Sequence, residues 1–285
     1  MNLHKDNRGS FKVGYLITIG VIATACVILG MVIHMKGVVK DIKFGPKWHI
    51  SLEGSDSDNG SYSHEADSTV TGEFSAIDVD IDLGKVDIKS GNEFKVEFDY
   101  DGIKAPEVFV ENKVLHIEQK GNADISLISI PKNGQITVTV PSGTKLESIE
   151  VDAALGEITV IHVDASNIDI DADLGNVDIR TGSGEQLVVD AAMGDIKINA
   201  DHYNTYRIND DMGDITVNGS GEFIEVDDSM GEIGIFGAFS QIRAEASMGD
   251  VEVENSNAND SDVDIRTSMG DVKYNGKKYG TEFRL

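Results

Sequence analysis

Several residue types are almost absent from this chain of 285 residues, and each absence argues against a class of protein. Cys26 is the only cysteine, so no disulfide can form within one chain. Trp48 is the only tryptophan, and no aromatic platform for binding sugars is visible. Basic residues are scarce, since 24 Lys and Arg stand against 50 Asp and Glu, for a formal net charge of −26. Such an acidic chain is not expected to bind nucleic acid or to lie on anionic lipid.

Sequence motifs of enzyme sites are also missing. The seven histidines are scattered, without the paired spacing of a zinc site. There is no nucleophile elbow, phosphate-binding loop or dinucleotide fingerprint. The glycine-rich segments Thr181–Gly184 and Asn218–Gly221 are interpreted as turns. The sequence therefore predicts no enzyme, no catalytic residue, no cofactor and no small-molecule substrate.

A short repeat dominates what is present. A Leu-Gly or Met-Gly pair recurs at steps of 18 to 21 residues. A fixed period near twenty indicates one supersecondary unit stacked on itself. An earlier copy lies at Leu83-Gly84. The seven later pairs are Leu155-Gly156, Leu174-Gly175, Met193-Gly194, Met212-Gly213, Met230-Gly231, Met248-Gly249 and Met269-Gly270.

Each repeat alternates apolar and polar residues on both sides of its glycine. Counting the Leu or Met as position zero, positions −6, −4, +3 and +5 are mostly apolar and β-branched, as at Ile168, Ile170, Val177 and Ile179. Period-two alternation predicts strands. Two short strands would meet at a corner, where glycine can adopt φ > 0. Position −2 is often small, as at Ala172, and suits the inside of the corner. The Leu and Met column is interpreted as a stacked core ladder rather than as metal ligands, because the two side chains are near-isosteric.

The predicted fold is all-β, a parallel β-solenoid (β-helix) with coils of about 19 residues. At a strand spacing of about 4.8 Å, seven coils give a rod about 30 Å long. A large antiparallel sandwich is the alternative. The period is lost between 90 and 150, where an irregular β cap is expected because an uncovered end would expose edge strands. Four strands are predicted there, at Lys95–Tyr100, Glu107–Val110, Val114–Glu118 and Gln135–Val140.

The N-terminal part predicts attachment to a membrane. Val13–Ile33 is an apolar run long enough to cross a bilayer once as a helix. A cleaved signal peptide is the alternative. Basic residues flank the run on both sides, so the orientation rests on the simplest topology, a single-pass cell-membrane protein with most of the chain extracytoplasmic. The predicted division is a cytoplasmic tail (1–12), a transmembrane helix (13–33), a juxtamembrane segment and flexible linker (34–72), a β cap with the first coil (73–150), solenoid repeats (151–273) and a C-terminal cap (274–285).

Acidic residues recur with the same period. Outward positions −3 and +2 carry Asp or Glu in most coils, which predicts two carboxylate ladders along the rod. Like charges about 5 Å apart repel by about 1 kcal/mol even in water. One interpretation is a solvated face that blocks aggregation. The other is weak Ca²⁺ binding, since Ca²⁺ accepts carboxylate oxygens in flexible geometry. The candidate calcium ligands are Asp152, Asp171, Asp190, Asp195, Asp214, Asp227 and Asp250.

The repeats resemble a family of bacterial envelope proteins known as "putative adhesins" with β-strand repeats, the LiaG-like group. The resemblance rests on the segments Ala76–Ile88 and Gln135–Val151 and on the later repeats of Leu or Met, Gly, an acidic residue or Asn, and alternating Ile and Val. It covers about 73–275. It implies a β-helical extracytoplasmic domain behind a membrane anchor and, in some members, a link to envelope-stress operons. It implies no catalytic residue.

The function expected from these observations is a non-enzymatic interaction or scaffold module of the cell envelope. An envelope protein or a cell-wall polymer would be its partner. Two alternatives stay open. One is a solenoid scaffold that polymerises end to end, and the other is a carbohydrate-active enzyme with carboxylates on one face.

Overall fold

In the computed structural model of the chain, the described residues are 63–64, 73–101, 106–119, 133–257 and 262–285. The predicted tail (1–12) and transmembrane helix (13–33) lie outside these ranges. The described part contains strands and connecting turns, and it includes no helix long and apolar enough to span a membrane.

Nineteen strands make up the described part of the chain, and all belong to one hydrogen-bonded sheet. They are β1 (Ser63–His64), β2 (Ala76–Leu83), β3 (Lys85–Gly91), β4 (Lys95–Asp101), β5 (Glu107–Glu111), β6 (Val114–Glu118), β7 (Asn133–Pro141), β8 (Lys145–Leu155), β9 (Ile158–Ile161), β10 (Asp164–Leu174), β11 (Val177–Met193), β12 (Ile196–Asp210), β13 (Ile215–Met230), β14 (Ile233–Met248), β15 (Val251–Asn255), β16 (Asp262–Met269), β17 (Val272–Tyr274), β18 (Lys277–Gly280) and β19 (Glu282–Arg284).

The repeats stack as parallel coils with equivalent positions paired, and the β12–β13 pairing shifts its register once, between Asn199 and Thr205. Ile149 pairs with Ile168, and Ile168 pairs with Leu187 one coil further on. The same parallel pairing continues from β11 to β14 and from β14 to β16. The prediction of an all-β parallel solenoid is confirmed, with about seven coils, and the antiparallel sandwich is wrong.

Inward-pointing residues of every coil form one continuous apolar core. Ile168, Ile170, Val177 and Ile179 are each at most 1% exposed, and the equivalent residues of the other coils are buried in the same way. One coil alone cannot enclose its apolar face, so the burial that stabilises the fold comes from stacking.

The glycine at six of the eight corners has a backbone that an L-residue rarely adopts. Its φ lies between +139° and +156° at Gly84, Gly156, Gly175, Gly194, Gly213 and Gly249. A Cβ on Gly194 would lie 2.2 Å from the carbonyl oxygen of Gly175 in the preceding coil. Gly194 N–H donates to the Met212 carbonyl of the following coil at 2.9 Å. The corner thus requires glycine for its φ and for the close approach of its neighbours.

The stretch between 90 and 150 contains the four predicted strands as β4 to β7. β6 and β7 extend the parallel stack, because β6 pairs with β2 and β7 pairs with β3. The coil formed by β2 and β3 therefore lies between this layer and the coil formed by β8 and β9. β4 and β5 then pair antiparallel with β7 and β6, and at the other end β18 and β19 pair antiparallel with β17 and β16.

Replacing a corner glycine is expected to destabilise the fold more than replacing an unhindered one. Gly194→Ala adds a backbone clash to an unfavourable φ, and we expect a loss of about 3 kcal/mol or more. Gly143→Ala is the matched control, because Gly143 has φ +83° but no atom within 4 Å of its Cβ position. It should lose about 1 kcal/mol. Urea unfolding followed by circular dichroism measures both, and equal losses would contradict the steric role of the corner.

Candidate interaction surface

The corner places the Leu and Met residues on the outside of the rod. Strand alternation would point position zero inward, like positions −2 and −4. The glycine that follows turns the chain, and the next inward residues are at +3 and +5, one step out of phase. The prediction of a core ladder is therefore wrong as to burial, although its members do stack in register.

We call these eight residues the Leu/Met column; they are Leu83, Leu155, Leu174, Met193, Met212, Met230, Met248 and Met269. The first five are half-buried, whereas Met230, Met248 and Met269 are 37%, 40% and 62% exposed. These last three form the Met patch. The residue before each of them is Ser229, Ser247 or Ser268, all exposed and small. The Met side chains thus stand on the surface without a bulky neighbour on that side.

Two acidic rows flank the Leu/Met column. The −3 row is Asp80, Asp152, Asp171, Asp190, Asn209, Asp227, Glu245 and Arg266, and it stacks in register. The +2 row is Lys85, Glu157, Asn176, Asp195, Asp214, Glu232, Asp250 and Asp271. The prediction of outward carboxylate ladders is in agreement with these positions, because most members of both rows are exposed.

Side chains of the +2 row also support the corner. Asp195 Oδ1 accepts the backbone N–H of Asp214 at 3.1 Å, and Asp214 Oδ1 accepts that of Glu232 at 2.9 Å. Asn176 Oδ1 accepts the N–H of Asp195 at 2.9 Å in the same way. A neutral amide therefore fulfils this role as well as a carboxylate does, and the hydrogen bond does not require the negative charge of the aspartates.

Two members of the −3 row, Asp152 and Asp227, have raised pKa values, and repulsion by neighbouring carboxylates contributes to both. Partial burial, together with Asp171 and Asp80 above and below, raises the pKa of Asp152 to about 6. Burial, and to a smaller extent the charges of Glu225 and Glu245, raises the pKa of Asp227. Burial and like charge therefore both oppose ionisation at these two positions of the −3 row.

Two carboxylates inside the wall were not anticipated as a site. Asp210 and Asp228 occupy position −2, where most coils have a small or apolar residue, and they are 1% and 4% exposed. They pair in register on β12 and β13. Oδ1 of each accepts a backbone N–H, from Met212 at 3.3 Å and from Met230 at 2.9 Å, while Oδ2 of each has no hydrogen-bond partner among the described residues. The signal in the sequence that could have identified this pair is the occurrence of Asp at position −2 in two successive coils, where most coils have a small or apolar residue.

Burial disfavours the ionised form of both groups. Burial and then the charge of Asp228 raise the pKa of Asp210 to about 7. Burial and then the charges of Asp214 and Asp211 raise the pKa of Asp228 to about 6. These two carboxyls face the interior of the wall, so they affect stability rather than contact with a partner.

An open polar groove of about 770 Å³ lies on the surface of neighbouring coils. It is lined by His162, Arg180, Asn199, Asp201 and Asn218, among others. Residues of Thr181–Gly184 and Asn218–Gly221 also lie here, within β11 and β13. The prediction that these segments are turns is wrong, because both continue the parallel pairing between neighbouring coils.

The seven candidate calcium ligands lie in the two acidic rows. Asp152, Asp171, Asp190 and Asp227 are in the −3 row, and Asp195, Asp214 and Asp250 are in the +2 row. Within the described ranges, no group of three or more His, Cys, Asp or Glu is arranged to hold a metal ion. The weak calcium ladder stays a prediction, in which two stacked carboxylates would share each ion.

Comparison with known proteins places these features in a wider group. The family model described as Toastrack DUF4097 matches residues 74–283. No curated protein sequence is detectably similar to the chain.

Among solved structures, a "putative adhesin" from Bacteroides fragilis is 19% identical, covers 73% of this chain and 93% of its own, and gives a TM-score of 0.52. A "putative lipid binding protein" from Parabacteroides distasonis is 16% identical over 75% and 94% of the two chains, with a TM-score of 0.44. A "putative adhesin" from the same species is 15% identical over 73% and 95%, with a TM-score of 0.44. The likeness to the Bacteroides fragilis protein shows a shared fold.

Calcium binding to the acidic rows predicts a stabilisation specific to that ion. If two stacked carboxylates share Ca²⁺, millimolar CaCl₂ should raise the thermal midpoint more than NaCl of equal ionic strength. The excess should disappear in the Asp171→Asn/Asp190→Asn variant. Equal shifts in both salts would leave charge screening as the whole effect and would contradict the calcium ladder.

The Asp210 and Asp228 pair predicts a loss of stability as the pH rises. Their pKa values are raised in the folded state, so the stabilisation is complete below the ordinary value near 3.8 and is lost as the pH rises towards about 6 to 7. Asp210→Asn removes the part of this dependence that Asp210 contributes, and its thermal midpoint at pH 8 should exceed that of the wild type by about 3 °C or more. The exposed Asp201→Asn is the control. Identical pH profiles for wild type and Asp210→Asn would contradict the buried titration.

Proposed function

Because the chain belongs to the Toastrack DUF4097 family, we propose that its solenoid is a non-enzymatic interaction or scaffold module of the bacterial cell envelope. The apolar run 13–33 would anchor it in the membrane, with the solenoid on the extracytoplasmic side. The name of the Bacteroides fragilis protein, a "putative adhesin" of the same fold, agrees with this role. A link to envelope stress is a further part of the proposal, supported by the resemblance to LiaG-like proteins.

The observation that carries the proposal is the exposed Met patch between the acidic rows. Fully burying an exposed Met side chain contributes about 1.5 to 3 kcal/mol, and three in-register Met residues that are 37% to 62% exposed leave part of that free energy unused in the folded monomer. Contiguous apolar surface with a polar rim is typical of an interaction site. Met is also enriched at such sites, since its flexible side chain adapts to partners.

The end-to-end polymer is less well supported by the described ends of the rod. A polymer of identical coils would continue the parallel pairing from one molecule to the next. Here β18 and β19 follow the last parallel coil and run antiparallel to it. Their exposed side chains include Lys277, Lys278 and Arg284, and lysine on an edge strand opposes further pairing.

The enzyme alternative also lacks a supporting geometry. Burial raises the pKa of Asp210 to about 7. This carboxyl lies in the interior of the wall with Asp228, out of reach of a polymeric substrate. The raised pKa of Asp152 on the surface has a sufficient cause in burial and its like-charged neighbours. In the polar groove, Asp164 Oδ1 accepts the backbone N–H of Gly182 at 2.9 Å, which is a structural role.

Photo-crosslinking in intact cells tests the proposal. A photoreactive residue at Asp190, Asp214 or Glu245 lies beside the Leu/Met column, whereas one at Asp201 lies in the polar groove and serves as the control. We expect discrete crosslinked products from the first three positions and background from Asp201. Crosslinks to another membrane protein would indicate an assembly or regulatory role, and crosslinks to wall polymer an adhesive one. Background at every position, or one pattern at all four, would refute the proposal.

A further inference from the structure

We propose that the Met patch and its acidic flanks bind a cationic amphipathic α-helix of a partner protein, lying along the rod. This inference rests on the proposed function and names the chemistry of the partner.

The spacing of the Leu/Met column matches a helix better than an extended strand. Neighbouring coils repeat at about 4.8 Å, so Met230, Met248 and Met269 present apolar groups at that interval. A helix presents one apolar stripe residue per turn of about 5.4 Å. An extended strand places side chains of one face about 6.8 Å apart. This distance exceeds the interval between coils by about 2 Å, so the second side chain of the strand no longer lies opposite the second Met. Over the three coils of the Met patch, about two helical turns remain in phase.

The charges beside the Met patch select a cationic helix. Glu232 and Asp250 lie on the +2 side, and Asp227 and Glu245 lie on the −3 side, all exposed. These acidic flanks border Met230 and Met248. Beside Met269 the −3 residue is Arg266, which is hydrogen-bonded to Asp264, and the +2 residue is Asp271, which is paired with Lys278. A helix with an apolar stripe bordered by Lys or Arg would place a positive charge opposite each acidic row, as in other helix-in-groove complexes.

The same charges oppose other occupants of the patch. A second copy of the chain would bring its own acidic rows against these, and like charges in contact cost several kcal/mol. An anionic lipid surface is repelled for the same reason. A cationic helix instead relieves the repulsion within the rows, including the effect of Glu245 on Asp227.

A designed peptide tests whether the surface has this preference. The full chain is placed in phosphatidylcholine nanodiscs and titrated into a fluorescent helical peptide of about 18 residues, or five turns. The peptide carries Leu on one face, Lys on both flanks and Gln elsewhere. A second peptide of the same composition has its Leu and Lys positions shuffled so that no apolar face forms. Fluorescence anisotropy, corrected for empty nanodiscs, gives the affinities.

Variants separate the apolar contribution from the charge contribution. Met230→Ser/Met248→Ser/Met269→Ser should weaken binding about tenfold or more, while the Met→Leu triple variant should bind like the wild type. Glu232→Gln/Glu245→Gln should weaken binding about fivefold and reduce its salt dependence. Asp201→Asn/Glu222→Gln removes the same number of charges away from the Met patch and should leave the affinity within about twofold of the wild type.

Several results would overturn the inference. Equal binding of the shuffled peptide would mean attraction to net charge alone, and wild-type affinity in the Met→Ser variant would exclude the Met patch. If the peptide does not bind but crosslinks form at Asp214 and Glu245 in cells, the partner chemistry is wrong and the interaction module stands. If both experiments fail, the proposed function falls as well.

Discussion

The whole rod depends on a close backbone contact between corner glycines of successive coils. A Cβ added to any of seven corner glycines, from Gly156 to Gly270, would lie 2.2 Å or less from the carbonyl oxygen of the preceding one. With no side chain in the way, the N–H of every corner glycine from Gly84 to Gly249 reaches the carbonyl of the Leu or Met in the following coil, as Gly175 does to Met193 at 2.9 Å. This ladder fixes the register at the corner, and the register in turn aligns every column of side chains, inside and outside.

The outer surface follows from the same corner. A strand that continued straight would bury position zero, but the turn at glycine shifts the alternation by one residue, so the Leu/Met column lies at the vertex. The +2 side chains come next, where the turn leaves a backbone N–H to be satisfied, and Asn176 or Asp195 accepts it from the following coil. The constraint that forms the fold therefore also places an apolar column beside an acidic row.

The sequence was sufficient to predict the features that depend on its period. Alternation about each glycine gave the all-β solenoid, its inward columns and the outward carboxylates, because each is a local pattern repeated in every coil. The sequence could not predict that the Leu/Met column is only partly buried. Strand alternation breaks at the corner, and the φ of the glycine determines where the side chains on either side of it point. Nor could the sequence place β6 and β7 beyond the β2–β3 coil, since that stacking order depends on contacts between segments far apart in the chain. Asp210 and Asp228 occupy position −2, which the sequence already assigned to the inside of the corner, so their burial followed from the pattern although it was not predicted.

The repeats also act as a substitution series within one molecule, and they separate what the fold needs from what it tolerates. At +2 the amide of Asn176 accepts a backbone N–H of the following coil, whereas Asp195, Asp214 and Asp250 accept the equivalent N–H with a carboxylate, which adds like charge to the row. At −2 the fold needs a small or apolar residue, which Ala172 and Ala246 provide, yet Asp210 and Asp228 bury carboxyls there. At position zero Leu and Met are only half-buried, yet the column remains apolar where Met269 is mostly exposed. Because folding alone accounts for neither the excess charge nor the exposed apolar column, and the two lie side by side along one corner, a contact with a cationic and apolar partner explains both at once.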